Sequence, residues 1–485
     1  MPADGTIQDT SRGSLRQQVY LQLRSAIEQG TLRAGTRLPP SREHAQALGV
    51  ARNTVLWALE RLRVEGFVQA RVGDGTYVAD GVAALAVRPG GGRAALVGEA
   101  ALSARGRLMA DTALRWRPPA VMAAPFRIGA PEVASFPFAL WDRLSRSVAP
   151  AARQGTAQYL DPQGLPALRE AIAHWLLVSR GLRCSAEQVL VTSGSQQAID
   201  LIGRLLLDVG DEVMVEDPGY SGIRACLLGH GAQVRPVPLD DEGLDIAAGA
   251  ARWPGARLVV VTPTHQFPLG LRMSLARRVA LIDWARRCGG WIVEDDYDGE
   301  FQYGPHRIAA LASLPHAERV LYVGTFSKTL HPGLRLGFIV LPAGLAPAFA
   351  AAKALADRHC PGELQAVLAR FIAEGHLLRH LRRMRELYPQ RQALLIEALA
   401  RASGGALRLA PREQGMHLTA EVSGRRGDVA LSARAREVGV MLAPLSAYTL
   451  ESPRRGWVFG YAAYHDAALR DAARRVGPLF ARGSA

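Results

Sequence analysis

The pattern of apolar positions divides this chain before its composition is considered. From Leu15, apolar residues recur every four positions at Val19, Leu23 and Ile27, as on one face of an amphipathic helix, and Gly30 ends the run. After a turn containing Gly and Pro, Ser41 is placed to cap a short helix, REHAQAL, closed by Gly49. A second helix is expected from about Arg52 through Val55, Leu59 and Leu62 to Gly66. Two strand-like runs around a GDG turn, FVQARVGDGTYVA, then form a hairpin. Helix, tight turn, helix and hairpin is the order of a winged DNA reader, with Arg52, Asn53 and Thr54 projecting from the helix turn that meets base edges. A small helical protein-interaction domain has the same pattern. Charge does not separate the two, because ten arginines face eight acids in the first 80 residues.

Between residues 81 and about 120 the pattern lapses into VRPGGGR, alanine runs and WRPPA, with six arginines and two acids. This reads as a linker, flexible at its glycines. Beyond it, QVLVTS, EVMVEDP, RLVVVTP, GGWIVEDD and RVLYVGTF alternate with helical stretches. Short continuous apolar strands between helices indicate a largely parallel sheet covered on both faces. Ligands of such sheets gather beyond the strand carboxyl ends, and polar residues stand there. The turn before SQQAIDLIGRLLL offers the N–H groups and positive dipole end of a helix to a phosphate. DPGY places Tyr220 either against a planar ligand or in the core. WIVE leads to Asp295 and Tyr297, and VLYVG leads to Thr325, Ser327 and Lys328.

Composition changes this picture at one point. The 485 residues, nearly half apolar, can bury several cores, and a net charge of +14 permits a polyanionic partner without requiring one. MPADGTIQDTSRG lacks the order of a secretory signal. The most apolar window, LGFIVLPAGLAPAFAAA, is too short and too broken for a membrane span. Cys184, Cys226, Cys288 and Cys360 are scattered, as reduced thiols in a cytoplasm are, and no metal site is expected. The telling number is lysine: of 58 basic side chains only Lys328 and Lys353 are lysines. Arginine serves wherever a cation sits in water or pairs with an acid. Only an amine can lose its proton and form a Schiff base with a carbonyl. Lys353, in AAKALADRH, is expected on a helix surface; Lys328 is expected to be chemical. An amine, an acid, a ring and a phosphate cradle, each at a strand end, are what pyridoxal 5'-phosphate requires.

The stretch from Leu15 to Asp80, with GTRLPPSRE and GVARNTV, resembles the winged helix-turn-helix of GntR regulators. That resemblance implies DNA contacts from Arg42, Arg52, Asn53 and Thr54, with Gly75 at the wing tip. From about residue 122, YLDPQGLPALREAIAHWL, VTSGSQQAIDL, VEDPGY, VEDDYDGEF and TFSKTLHPGLRLGF resemble fold-type I aminotransferases in their expected order. It implies an α/β body with a mainly parallel central sheet and a smaller C-terminal α+β subdomain. Lys328 would carry the cofactor as an aldimine, Asp295 would pair with the pyridine nitrogen, Tyr297 would reach the phenolic oxygen, and Tyr220 would stack on the ring. Ser195, Gln196, Ser327 and Arg335 would hold the phosphate, with Thr325 beside them and Tyr159 supplied by a second subunit. Apart from the linker, almost the whole chain is similar to the MocR family, with a reader at 1–80, a linker at 81–120 and an effector domain at 121–485. The resemblance implies a cytoplasmic homodimer that binds operator DNA and senses a small amino compound, or the cofactor itself. An active aminotransferase with an appended reader is the alternative. Two departures bear on this choice: THQFPLG places Phe267 where aminotransferases carry an asparagine, and WVFGYAAY lacks the expected carboxylate-binding arginine, leaving Arg454 and Arg455 as candidates.

Overall fold

The computed structural model describes residues 14–85, 102–115, 124–155, 158–304, 307–422 and 427–480. They fall into two compact units, ending at Leu102 and starting at Ser103. The first unit contains α1 (Leu15–Glu28), α2 (Ser41–Leu48), α3 (Arg52–Val64) and an antiparallel hairpin of β1 (Val68–Arg71) and β2 (Gly75–Val78). Val19, Leu23 and Ile27 pack with Val55, Leu59 and Leu62, and Val68 and Val78 close the base of the hairpin over them. Three expectations fail here. Leu15 opens α1 and is 55% exposed, so Tyr20 takes its place in the core. Ser41 is the first residue of α2 rather than its cap; Pro40 precedes it, and the Ser41 hydroxyl accepts from Arg52 Nε at 3.1 Å. Thr54 is only 8% exposed and packs inward, whereas Arg52 and Asn53 remain exposed.

The second unit begins with α4 (Ala104–Arg115), α5 (Phe138–Gly155), α6 (Pro166–Arg180), β3 (Val189–Thr192), α7 (Ser195–Leu206), β4 (Glu212–Asp217), α8 (Ser221–Gly229), β5 (Gln233–Asp240) and β6 (Gly243–Leu244). It continues with α9 (Ile246–Arg252), β7 (Leu258–Val261), α10 (Leu275–Cys288), β8 (Trp291–Asp295), β9 (Val320–Thr325), α11 (Phe326–Thr329) and β10 (Gly337–Val340). Then come α12 (Ala346–Ala356), α13 (Gly362–Ala373), α14 (His376–Ala402), β11 (His417–Glu421), α15 (Asp428–Glu437), β12 (Ala443–Pro444), β13 (Gly456–Gly460) and α16 (Asp466–Phe480). The main sheet runs β3-β10-β9-β8-β7-β4-β5-β6. β10 is antiparallel to both neighbours, β6 is antiparallel to β5, and β4, β5, β7, β8 and β9 are parallel. Along β3, Val189 and Val191 enter one core with Leu168 and Ile172, while Leu190 enters another with Ile199 and Ile202. Both faces are covered, so the strand reads as an unbroken apolar run. A three-stranded antiparallel sheet, β11-β13-β12, forms the smaller C-terminal part.

The expected linker is not unstructured throughout. Residues 104–115 form α4, where Arg105 Nε donates to the Gly229 carbonyl at the end of α8 and Met109 lies over Gly229. The glycine run of VRPGGGR lies outside the described residues.

Candidate functional site

Two adjacent aspartates end β8, and packing gives them different work. Asp296 is committed to the scaffold: its Oδ2 accepts from Arg180 Nε at 2.7 Å and from the Tyr322 hydroxyl at 2.6 Å. Oδ1 of both aspartates is buried without a hydrogen-bond partner, but Asp295 has no tie through its other oxygen to match those of Asp296. Burial, then the neighbouring Asp296 charge, pushes its carboxyl up to about 7, with Lys328 pulling the other way. An unfolded aspartate titrates at about 3.9. Between about 4 and 7 the folded, cofactor-free protein therefore holds a proton that the unfolded chain has released, and this group's contribution to stability falls as pH rises through the window. Asn at this position cannot titrate. Thermal unfolding of cofactor-free protein from pH 5 to 8 is expected to show the wild type losing ground to Asp295→Asn as pH rises; a constant gap would mean that Asp295 finds a partner in solution.

Lys328 lies in α11, the short turn after β9, and its amine donates to the Gly129 carbonyl at 2.7 Å. Gly129 has φ +69°, a backbone form that favours glycine, and a Cβ there would stand 2.7 Å from Nζ and displace the amine. Desolvation lowers the lysine's pKa; Asp298 and Asp295 oppose that fall and Arg127 adds to it. Arg127 is on the same crossing segment, its backbone N–H donating to the Tyr464 hydroxyl at 3.2 Å.

Tyr297 comes two residues after Asp295. Its hydroxyl is 3.0 Å from His265 Nδ1, and that nitrogen is 2.8 Å from Asp298 Oδ2. His265 Nε2 is buried without a partner, and the His417 ring lies 4.8 Å away, tilted by 41°, while its Nε2 meets the Pro268 carbonyl at 3.1 Å. Phe267 is buried, with its ring 5.6 Å from Tyr220, 6.1 Å from Tyr297 and 5.1 Å from Tyr448. The THQFP loop is anchored by Glu216, which accepts from Thr262 Oγ1 at 2.6 Å and Gln266 Nε2 at 3.1 Å. Burial pushes the Glu216 carboxyl up to about 7. His265 and Asp298 were readable only as neighbours of Phe267 and Tyr297 in their own motifs; nothing local marks them as partners of each other.

Three turns converge where β10 lies between β3 and β9. Ser195 opens α7, whose first N–H groups lack intrahelical acceptors by helix geometry. A side chain on Gly194 would begin 3.7 Å from the Arg335 guanidinium. Thr325 Oγ1 accepts from the Ser327 N–H at 3.2 Å, shaping the turn that carries Lys328. Gln196 is tied to the Gly222 carbonyl through Nε2 at 3.2 Å, next to Tyr220 at the start of α8. Tyr159 stands apart from these groups: it is 87% exposed beside His359 and Arg358. The arginines proposed from the last strand also lie elsewhere. Arg454 binds Glu421 at 2.9 Å and the Leu239 carbonyl, and Arg455 is exposed. In the first unit, Arg42, Arg52 and Asn53 are exposed, and Gly75, φ +128°, begins β2 after the hairpin turn.

The comparisons with known proteins join these two parts. The aminotransferase class I and II family matches residues 139–476, and the bacterial regulatory proteins of the gntR family match residues 15–78. The chain is 38% identical over 469 residues to a probable rhizopine catabolism regulatory protein, MocR, of Rhizobium meliloti, covering 96% of this chain and 94% of that one. The chain belongs to the MocR-type regulators. The HTH-type transcriptional regulator TauR of Rhodobacter capsulatus is 34% identical over 80% of each chain. The body of this MocR-type regulator is also similar to solved aminotransferases. A kynurenine aminotransferase of Pyrococcus horikoshii in complex with PMP has a TM-score of 0.69 at 26% identity, covering 80% of this chain and 96% of that one. LysN of Thermus thermophilus, complexed with N-(5'-phosphopyridoxyl)-L-leucine, has a TM-score of 0.68 at 28% identity, covering 76% and 95%. The MocR-type site suits such a group by its own chemistry. Asp295 has a buried oxygen lacking a donor, Lys328 has a desolvated amine, and the α7 turn stands beside Arg335.

Proposed function

We propose that this MocR-type regulator binds pyridoxal 5'-phosphate at Lys328, senses a small amino compound or the cofactor itself, and changes its affinity for operator DNA in response. The observation that carries the reading is the pairing of a desolvated Lys328 amine with the partnerless buried oxygen of Asp295. When bound, the cofactor supplies an electrophilic carbon at which one primary amine can replace another. Lys328 is the resident amine, and Asp295 takes the pyridine N–H. Tyr297 holds the phenolic oxygen, kept in place by His265 and Asp298. Tyr220 covers the ring, and Ser195, Gln196, Thr325, Ser327 and Arg335 hold the phosphate. The protein works as a cytoplasmic homodimer, with Tyr159 reaching the site of a second copy. Arg127 draws an acidic group of the effector toward Lys328, a place that Arg454 and Arg455 do not fill. The test is to titrate one preparation with amino compounds while following both its visible absorption and its operator affinity.

At the reader, Arg52, Asn53 and Arg42 meet DNA at the start of α3 and α2, and Gly75 brings the wing backbone close. Thr54 contributes through packing. Asn53→Ala is expected to weaken operator binding by about 1–3 kcal/mol, the scale of a bidentate base contact, with little change on random DNA. Arg52 is shared with Ser41 in the free protein, and Arg52→Ala should show the same selectivity if it reads a base. Equal loss on both DNAs with a shallower salt dependence would assign either residue to phosphate.

A further inference from the structure

The second lysine is not on a surface. Lys353 in α12 is 0% exposed, contrary to the expectation for AAKALADRH. Its amine donates to Asp357 Oδ1 at 2.6 Å and to Gln197 Oε1 at 3.2 Å. Gln197, in the first turn of α7, donates through Nε2 to Asp357 Oδ2 at 2.7 Å. The same Gln197 Oε1 accepts the Ser193 N–H at 2.8 Å. Ser193 begins the turn that leads through Gly194 to Ser195, where Thr192 Oγ1 donates to the Gly194 carbonyl at 3.1 Å. Lysine, aspartate and glutamine thus form a closed triangle whose free acceptor position fixes the first residue of the turn.

We propose that Lys353 is a positioning residue that holds the Ser193–Ser195 turn in its anion-receiving form through Gln197. The amide orientation is the key element. With Lys353 donating to Oε1 and Asp357 accepting from Nε2, the Gln197 amide cannot flip without placing like against like at both ends. Only the present orientation offers an oxygen to Ser193 N–H, and so points the following N–H groups of α7 away from the scaffold. Lysine is suited to this place in a chain otherwise supplied with arginine. Its three donors on a single atom find Asp357 and Gln197, with the Cys360 thiol also in its surroundings. A planar guanidinium would bring five donors and more volume into a fully enclosed position. Both lysines of the sequence therefore serve one site, Lys328 at the cofactor carbon and Lys353 behind its phosphate.

The inference rests on the cofactor reading above, and its test separates the two. Cofactor-stripped full-length protein is titrated with pyridoxal 5'-phosphate and with pyridoxal, which has the aldehyde but no phosphate. Lys353→Met is expected to lose about tenfold or more in affinity for the phosphate ester while its affinity for pyridoxal stays within about twofold, as for outer residues that orient direct ligands. Lys353→Arg should not rescue it, and Gln197→Ala should show the same selective loss; Gln197→Ala decides the matter if Lys353→Met fails to fold by circular dichroism. An unchanged ratio of the two affinities, or an equal loss on both, overturns the positioning role while leaving cofactor binding intact. A wild-type protein that binds neither aldehyde overturns the proposed function and this inference with it.

Discussion

Lys328→Arg is expected to give a folded, colourless protein from a yellow one. Desolvation lowers the pKa of the wild-type amine against the opposing charges of Asp298 and Asp295, so losing its proton is easier than for a lysine in water. Guanidinium keeps its proton under all ordinary conditions and cannot condense with the aldehyde. The effect should be complete rather than partial, because the chain offers one other lysine, and Lys353 is enclosed and bonded to Asp357. Borohydride reduction of the wild type followed by peptide mass analysis should place the label on Lys328 alone. Asp295 and the phosphate turn remain in the variant, so weak noncovalent binding should survive. An aldimine band in Lys328→Arg that borohydride bleaches, with the label fixed elsewhere, would defeat the central assignment.

The second large effect separates a sensor from an enzyme. The right amine should alter the visible spectrum and shift operator affinity, while keto-product formation stays far below the ordinary enzymic range of about 1 to 1,000 per second. Completing a transamination requires removal of the amine's α-proton with the substrate held in one reactive geometry. Phe267 fills the asparagine's place with an apolar ring among Tyr220, Tyr297 and Tyr448, so one polar contact to the cofactor is replaced by packing. The last strand brings no arginine, and Arg454 is spent on Glu421. On the proposed reading, exchange of amines at Lys328 should survive both changes, and orientation for the later steps should be weakened by both. The change in DNA affinity is bounded by the effector's preference for one state of the protein over the other. Arg127→Leu should raise the concentration needed of an acid-bearing amine and leave a neutral amine unaffected. Turnover within the enzymic range together with DNA binding indifferent to every amine would instead favour an aminotransferase with an appended reader.

The parallel strands were legible because each lies between two covered faces, which turns its sequence into a continuous apolar run such as VLVT or LVVV. β5 was not, since Arg235, Pro236 and Pro238 interrupt its run near the sheet edge. β10 was hidden inside a longer apolar window, and its antiparallel direction follows from its insertion between β3 and β9. Lys328, Asp295, Tyr297 and Tyr220 could be proposed from the sequence because they stand at or just after strand ends, where side chains leave the sheet. The scarcity of lysine singled out Lys328 by chemistry alone.

What the sequence by itself determined is therefore the order of elements and the candidate groups they carry, since both follow from local periodicity and from which side chains can do which chemistry. Only the tertiary structure decided which of several like residues meets which. Asp296 rather than Asp295 takes Arg180, Thr54 turns inward beside exposed Asn53, and Lys353 bonds Gln197, 156 residues earlier in the chain, behind the Ser193–Ser195 turn. Gly129 reaches Lys328 across 199 residues, and His265 finds Asp298 across 33. The physical reason is that burial and hydrogen-bond satisfaction are properties of the closed core: desolvation fixes which polar group must be paired and which is left with an oxygen to offer, and no local pattern along the chain encodes that choice.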